Sequence, residues 1–147
     1  MKQLQCNCTF LRGATRALTQ AYDEVLRPIG IRMTQFTVLA RTEAVGAMPL
    51  SELAELLAMD RTTLGRNVDL LVRDGLVEIE VGEDRRERLI HLTSQGRKTL
   101  ARALPLWESI QQRFEEKFGV KESKALREAM TLIVTIGREL SEENAAM

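Results

Sequence analysis

The chain has 147 residues, with 21 Lys+Arg against 21 Asp+Glu and a single histidine, so its formal net charge is zero near neutral pH. That length fits one domain or one subunit of a small oligomer, and the charge balance argues against a sequence-blind polyanion binder, which carries a clear basic excess. Specific nucleic-acid binding stays open because only the contact face must be basic; with aromatics at 4%, the core must be built from Leu, Ile, Val, Ala and Met.

At the N-terminus no run shows the basic, apolar and small-residue order of a secretory signal. No apolar stretch reaches the roughly 18 residues that a membrane helix needs. The chain is therefore expected to be cytoplasmic, with no membrane partner. Cys6-Asn7-Cys8 holds both cysteines, so a structural disulfide framework is not expected and a reducing compartment fits. One intervening residue would strain a disulfide within the chain. A bond between subunits, or a thiol activated by Lys2 or Arg12, would make Cys6 and Cys8 a redox switch. The plainer reading is one small buried residue and one partly exposed thiol.

Over about 8–26, Leu11, Ala14, Leu18, Tyr22, Val25 and Leu26 recur three and four apart, which predicts a helix ended by Pro28 and Gly30. Thr34 is expected to cap a second helix that runs through Phe36, Leu39 and Ala40 to about Glu43, where Gly46 stops it. Ser51 is expected to cap a short third helix over 52–58, whose Ala54 and Ala58 let the next helix cross closely. Asp60 should cap a fourth helix starting at Arg61. Leu64, Val68, Leu71 and Val72 form its buried stripe, and Gly75 stands at the position after the helix where φ is usually positive.

Two strands follow, over 76–81 and 88–92. Val77, Ile79 and Val81 alternate in the first, and Ile90 and Leu92 answer in the second. The loop between them is polar, contains Gly82 and has Asp84-Arg85-Arg86 at its tip. Thr93 should cap a long helix from near Gln95, apolar at Leu100, Leu104, Trp107, Ile110, Phe114 and Phe118. Pro105 should kink or break it, and Gly119 should end it. A last helix over about 122–140 is apolar at Leu126, Met130, Leu132, Ile133, Val134 and Ile136, almost all round its middle, which calls for burial on more than one side.

Helix, tight turn, helix and then a β-hairpin with an arginine tip make a winged helix-turn-helix. It offers DNA a helix for the major groove and arginines for the flanking minor groove. The expected fold class is mainly α with a small β-hairpin wing. Residues 1–147 form one subunit, with a DNA-binding lobe over 34–93 and dimerisation helices over 1–30 and 94–147. Those end helices carry more apolar surface than a lone chain can hide, which points to a two-fold homodimer.

Six stretches then carry a family resemblance: Thr34-Gln-Phe-Thr-Val-Leu39, Leu50-Ser-Glu-Leu-Ala54, Met59-Asp-Arg-Thr-Thr-Leu64, Leu71-Val-Arg-Asp-Gly-Leu-Val77, Asp84-Arg-Arg86 and Leu92-Thr-Ser-Gln-Gly96. In that order and spacing the chain resembles the MarR-type transcriptional regulators over nearly its whole length. The resemblance implies a homodimeric winged-helix regulator, most often a repressor, on pseudo-palindromic DNA. In many members a small molecule or an oxidant weakens DNA binding.

On the face of the fourth helix opposite its buried stripe lie Thr62, Thr63, Arg66, Asn67, Asp69 and Arg73. Thr62 and Thr63 sit at the end that normally enters the groove, where hydroxyls meet phosphates or base edges and methyls meet thymine. Gly65 has no side chain, so backbone can approach DNA there. Arg66 is the best candidate for base readout, because bidentate pairing to guanine is the commonest specific contact. Asn67 either faces DNA or caps a neighbouring group. Asp84 should pair with Arg86 and hold its guanidinium out of the loop. The resemblance places an arginine at this spot in the minor groove, and Arg85 and Arg88 should meet phosphates. By family analogy an effector pocket would draw on Arg12, Arg16, Met33, Phe36 and Trp107, and an arginine there suits the carboxylate of an aromatic acid. Peroxide-sensing relatives usually pair their cysteine with tyrosines, whereas this chain has only Tyr22.

Two other classes compete. An enzyme is disfavoured: His91 is the only histidine, no glycine-rich phosphate loop is present, and His91 with Cys6 and Cys8 lacks zinc spacing. No catalytic residue, metal or cofactor is expected. A winged-helix protein–protein adaptor is the stronger rival, but it would not need Arg66 and Arg86 to point outward.

Overall fold

A computed structural model describes residues 5–147; Lys2, weighed above as a neighbour of the thiols, lies outside them. The chain divides into two units, Met1–Ile110 and Gln111–Met147.

The first unit opens with helix α1 (Asn7–Leu26), closed by a 3-10 turn, Arg27–Ile29, and by Gly30 at φ 83°. Helix α2 (Met33–Val45) starts one residue before the expected cap. Thr34 lies inside it, because other groups satisfy the first amides. The Gln35 side chain accepts from the Arg32 amide at 2.9 Å, and Asp23 of α1 accepts from the Met33 amide at 2.7 Å. A carboxylate at that helix end also meets the positive pole of the peptide dipoles.

A short strand, β1 (Met48–Pro49), leads straight into helix α3 (Leu50–Leu56). Pro49, not Ser51, stands before the first turn, since its fixed φ suits helix entry and it needs no amide partner. The turn to helix α4 (Arg61–Arg73) is tight, with Ala58 held at φ 52° and the Met59 amide bonded to the Ala54 carbonyl at 2.9 Å. α4 buries Leu64, Val68 and Leu71. Val72, expected in that stripe, is 41% exposed, one residue round the helix from Leu71 and off the buried arc.

Strands β2 (Val77–Val81) and β3 (Arg88–Leu92) form the hairpin, paired from Val77↔Leu92 to Val81↔Arg88. The sheet has a third strand that the hairpin pattern did not reveal. β1 pairs antiparallel with β3 at Met48↔Ile90 and Pro49↔Leu89, giving the order β1-β3-β2. Two residues carry no readable alternation, and a proline on an edge strand is tolerated. Val81 is exposed because the hairpin leaves the core before its tip.

Helix α5 (Ser94–Phe118) runs unbroken through Pro105. Thr93 caps it as expected, its hydroxyl oxygen accepting from the Gly96 amide at 2.9 Å. Leu26, Phe36, Val38, Leu39, Leu53, Leu64, Leu71, Val77, Ile90 and Leu100 belong to one core, against which Met33 and Trp107 also pack. Burial of each large aliphatic side chain there stabilises the fold by about 1.5–3 kcal/mol.

In the second unit, Gly119 at φ 107° turns the chain from α5 into helix α6 (Val120–Ala146), longer at both ends than its apolar pattern. The buried Ser123 donates its hydroxyl to the Gly119 carbonyl at 2.7 Å, and Arg127 reaches Glu115 at 3.3 Å. Phe114 and Phe118 pack ring to ring at 5.4 Å. Leu132, Ile133, Val134 and Ile136 of α6, whose all-round apolar pattern calls for cover that a lone chain is not expected to supply, are exposed in the single chain, as is Leu140. Among the described residues no helix is long and apolar enough to cross a membrane.

Candidate nucleic-acid interface

The N-terminal turn of α4 is fixed from within. Asp60 accepts the Thr63 amide at 2.8 Å and the Thr63 hydroxyl at 2.6 Å. These bonds, the hydroxyl first, hold the Asp60 carboxyl below the usual aspartate range. Asn67 donates its side-chain amide to the Thr63 carbonyl at 3.0 Å. Two of the four polar groups at this end therefore serve the helix itself. Thr62 and Arg66 are exposed, and no hydrogen bond or ion pair holds either side chain among the described residues. At the far end Arg73 pairs with Asp74 at 3.3 Å.

The wing loop is shaped by its own backbone. The Gly82 amide donates to the Glu87 carbonyl at 3.0 Å, and the Glu87 amide donates to the Asp84 carbonyl at 2.9 Å. The Asp84 carboxylate accepts from the Arg86 backbone amide at 3.0 Å. This corrects the expected pairing with the Arg86 guanidinium: a carboxylate two residues before an amide closes a local turn more readily than it reaches a long side chain. Asp84 thus orients the loop, while the guanidinia of Arg85, Arg86 and Arg88 are exposed and have no intramolecular partner among the described residues.

Between the start of α4 and the wing lies a cleft of about 450 Å³, lined by Pro49, Ser51, Glu52, Arg61, Gly65, Arg86 and Arg88, among others. From sequence, Ser51 and Arg61 are expected only at helix starts, not at a DNA-facing surface; the place of Arg61 beside the wing is visible only in the fold. A second, larger cleft of about 1090 Å³ lies between α1, the start of α2 and the later half of α4. It takes in Arg16, Arg27, Arg32, Asn67, Leu70 and Arg73. Of the five residues considered for an effector pocket, Arg16 lines this cleft. Arg12 is exposed on α1. Phe36 stacks on Trp107 with ring centroids 5.6 Å apart, and Met33 packs with them against the core.

His91 stands on β3 with Nε2 3.1 Å from Glu80 and 3.8 Å from Glu78, out of line for a hydrogen bond. Among the described residues, no three His, Cys, Asp or Glu side chains are grouped to hold a metal ion. Cys6 and Cys8 are both free thiols. Cys6 takes the N-cap position of α1. The Thr9 hydroxyl, then the Thr9 amide, favour its thiolate and hold it below the ordinary thiol value, although neither closes to a full capping hydrogen bond.

Residues 29–87 match the MarR family. The fold of MosR, a Mycobacterium tuberculosis transcriptional regulator solved in complex with DNA, superposes with a TM-score of 0.85 at 37% identity, over 92% of this chain and 98% of that one. The chain belongs to the MarR family. A MarR-type winged helix-turn-helix therefore underlies α3, α4 and the three-stranded sheet. YwoH of Bacillus subtilis, an HTH-type transcriptional regulator, is 31% identical over 88 residues, 60% of this chain; the match spans 64% of YwoH's own length. The transcriptional repressor CouR, solved on a 23-mer DNA duplex, is 27% identical with a TM-score of 0.78, over 88% of this chain and 92% of CouR. All three relatives are named as regulators and none as an enzyme.

Proposed function

We propose that this MarR-family chain is a DNA-binding transcriptional repressor that acts as a homodimer on a pseudo-palindromic operator. The observation that carries the reading is the set of exposed guanidinia on one lobe that have no partner among the described residues: Arg66 on α4, and Arg85, Arg86 and Arg88 on the wing. Exposed arginines that no ion pair holds among the described residues are not explained by packing, and they suit guanine edges, the minor groove and phosphates. The DNA duplexes bound to MosR and CouR support it.

In this reading α4 lies in the major groove. Thr62 and Arg66 meet bases, and Thr63 and Asn67 hold the helix end in shape while their free lone pairs and protons meet the backbone. Arg86 enters the minor groove, presented by the Asp84 turn, and Arg85, Arg88 and Arg73 meet phosphates. Residues 34–93 form the DNA-binding lobe, and residues 1–30 and 94–147 supply the dimer interface. Two-fold symmetry sets the half-sites about 10–10.5 bp apart. Its workplace is the DNA-containing cytoplasm. A small anion, such as an aromatic acid, would act as effector through the larger cleft, where Arg16, Arg27, Arg32 and Arg73 stand among Asp23, Glu24 and Asp74, beside Asn67 and Leu70 of α4.

Fluorescence anisotropy with the DNA upstream of its own gene, and with an operator selected from random duplexes, tests the reading. Wild type should bind selectively. Arg86→Ala should lose about 1–3 kcal/mol, roughly five- to 150-fold in Kd. An Arg66→Ala, Arg86→Ala double variant indistinguishable from wild type on every duplex would instead favour the protein-adaptor class.

The thiolate-favouring site at Cys6 supports a second reading, in which oxidation of Cys6 or Cys8 releases the DNA. Diamide should then weaken operator binding by wild type and leave a Cys6→Ser, Cys8→Ser variant unaffected. Release of DNA from that variant by diamide would exclude the thiols as the switch.

A further inference from the structure

Gly65 weakens its own helix, and no contact among the described residues explains it. It is the fifth residue of α4 and keeps ordinary helical backbone, unlike the glycines at positive φ. A glycine in a helix interior is less stable than alanine, because its unfolded backbone has more freedom to lose. Structures keep such a glycine where φ is positive or where a neighbour presses close. Gly75 meets the first condition and Gly96 the second. Gly65 meets neither, because an added Cβ would find no atom within 4 Å. No described residue requires bare backbone at this position; the same holds for Gly137 inside α6, but Gly65 is the one of the two that lines a cleft.

The surroundings narrow what would require it. Gly65 lines the cleft of about 450 Å³ between α4 and the wing, beside Ser51, Arg61, Arg86 and Arg88. Those three arginines have no intramolecular partner among the described residues. Two carboxylates also line the cleft, Glu52 and Glu87, and the Glu87 side chain lies back against Gly82. A protein that places one element in the major groove and another in the adjacent minor groove must straddle the sugar–phosphate strand dividing them. With α4 and the wing as those two elements, the strand has to pass where they face each other, which is this cleft.

We infer that Gly65 is kept bare so that a DNA sugar–phosphate strand can seat between α4 and the wing, making Gly65 a determinant of DNA affinity. The inference rests on the DNA-binding mode proposed above. Arg61, Arg86 and Arg88 neutralise the seated phosphates, and a Cβ at position 65 takes up space that the strand needs. Stability and binding then pull in opposite directions at one residue.

The test uses the full chain and an operator selected by wild type from random duplexes. Gly65→Ala should show an equal or higher thermal midpoint and at least tenfold weaker operator binding, and Gly65→Val should bind more weakly still. Duplexes with single uncharged methylphosphonate linkages add a second readout. Wild type should lose affinity at the linkages between each half-site and its flank, and Gly65→Ala should lose less there. If Gly65→Ala binds as wild type while Arg86→Ala binds weakly, the inference is overturned and the DNA-binding mode stands. If wild type prefers no duplex and Arg86→Ala matches it, both fall. Should Gly65→Val fail to fold, Gly65→Ala alone decides.

Discussion

At Gly96 a missing side chain lets α5 begin directly against the turn that follows α4. The Thr93 hydroxyl donates to the Gly75 carbonyl at 2.6 Å, the Thr93 amide donates to the Leu76 carbonyl at 3.1 Å, and the Gly96 amide closes the set onto the Thr93 hydroxyl oxygen. A Cβ on Gly96 would overlap the Leu76 carbonyl oxygen. Backbone, unlike a flexible side chain, cannot swing aside, so Gly96→Ala should cost about 1–3 kcal/mol. A urea titration with an unchanged slope and a lowered midpoint is the expected result; a wild-type midpoint would mean that the helix start simply shifts. Thr42 is the opposite case, a side chain with one group too many. Its hydroxyl is buried with no hydrogen-bond partner among the described residues. An unsatisfied buried hydroxyl is unfavourable, so Thr42→Val, which keeps the shape and drops the polar atom, should stabilise the chain by about 1 kcal/mol. A fall in thermal midpoint would show that the hydroxyl has a partner in solution.

At the scale of elements, α4 is the helix most fully legible in the sequence. Asp60 caps it, Arg61 begins it, Leu64, Val68 and Leu71 face the core, and Gly75 follows it at φ 73°. All of these signals are local, which is why they can be read without the fold. The cap also titrates. The folded pKa of Asp60 lies below the unfolded value, so the cap stabilises α4 fully above about pH 4. That stabilisation is lost as pH falls through the depressed value. Amide exchange at Thr63 should therefore quicken on acidification, whereas in Asp60→Asn, a good cap without a titrating proton, it should lose this pH step. Persistence of the step in Asp60→Asn would assign it to another group. What the sequence hid is non-local. β1 has two residues and pairs with a strand 42 positions away at Met48↔Ile90. The α2 cap comes from Asp23, ten residues upstream on another helix. In the candidate site, the exposed arginines were readable from pattern and resemblance. The turn that Asp84 closes onto the Arg86 amide, and the places of Arg61 and Ser51 beside the wing, depended on geometry that no spacing encodes.

For the whole molecule, zero net charge would be compatible with the proposed sequence-specific operator binding only if binding were concentrated on a few well-placed groups and used twice. One lobe offers a handful of arginines, and the proposed two-fold dimer would double them at fixed spacing. Once its first lobe was bound, the second would bind as an intramolecular step, a gain of roughly 10²–10⁴ over the single-lobe affinity. α6 carries the surface that such a dimer would cover. Leu132, Ile136 and Leu140 fall four residues apart on one helix face, with Ile133 beside them, all exposed in the single chain. An unpaired stripe of this kind is unfavourable in water, at about 25 cal/mol for each Å² left uncovered. Leu132→Glu with Ile136→Glu should therefore give a monomer in sedimentation-velocity runs, with the helical content of wild type by circular dichroism. Operator affinity should fall by about 100-fold or more. The remaining binding should depend less steeply on salt, because a lone lobe displaces about half as many counterions. A variant that still sediments as a dimer would place the interface on other surfaces of the end helices. A monomer that kept wild-type affinity would mean that one lobe alone supplies the binding, and the pseudo-palindromic operator would lose its physical basis.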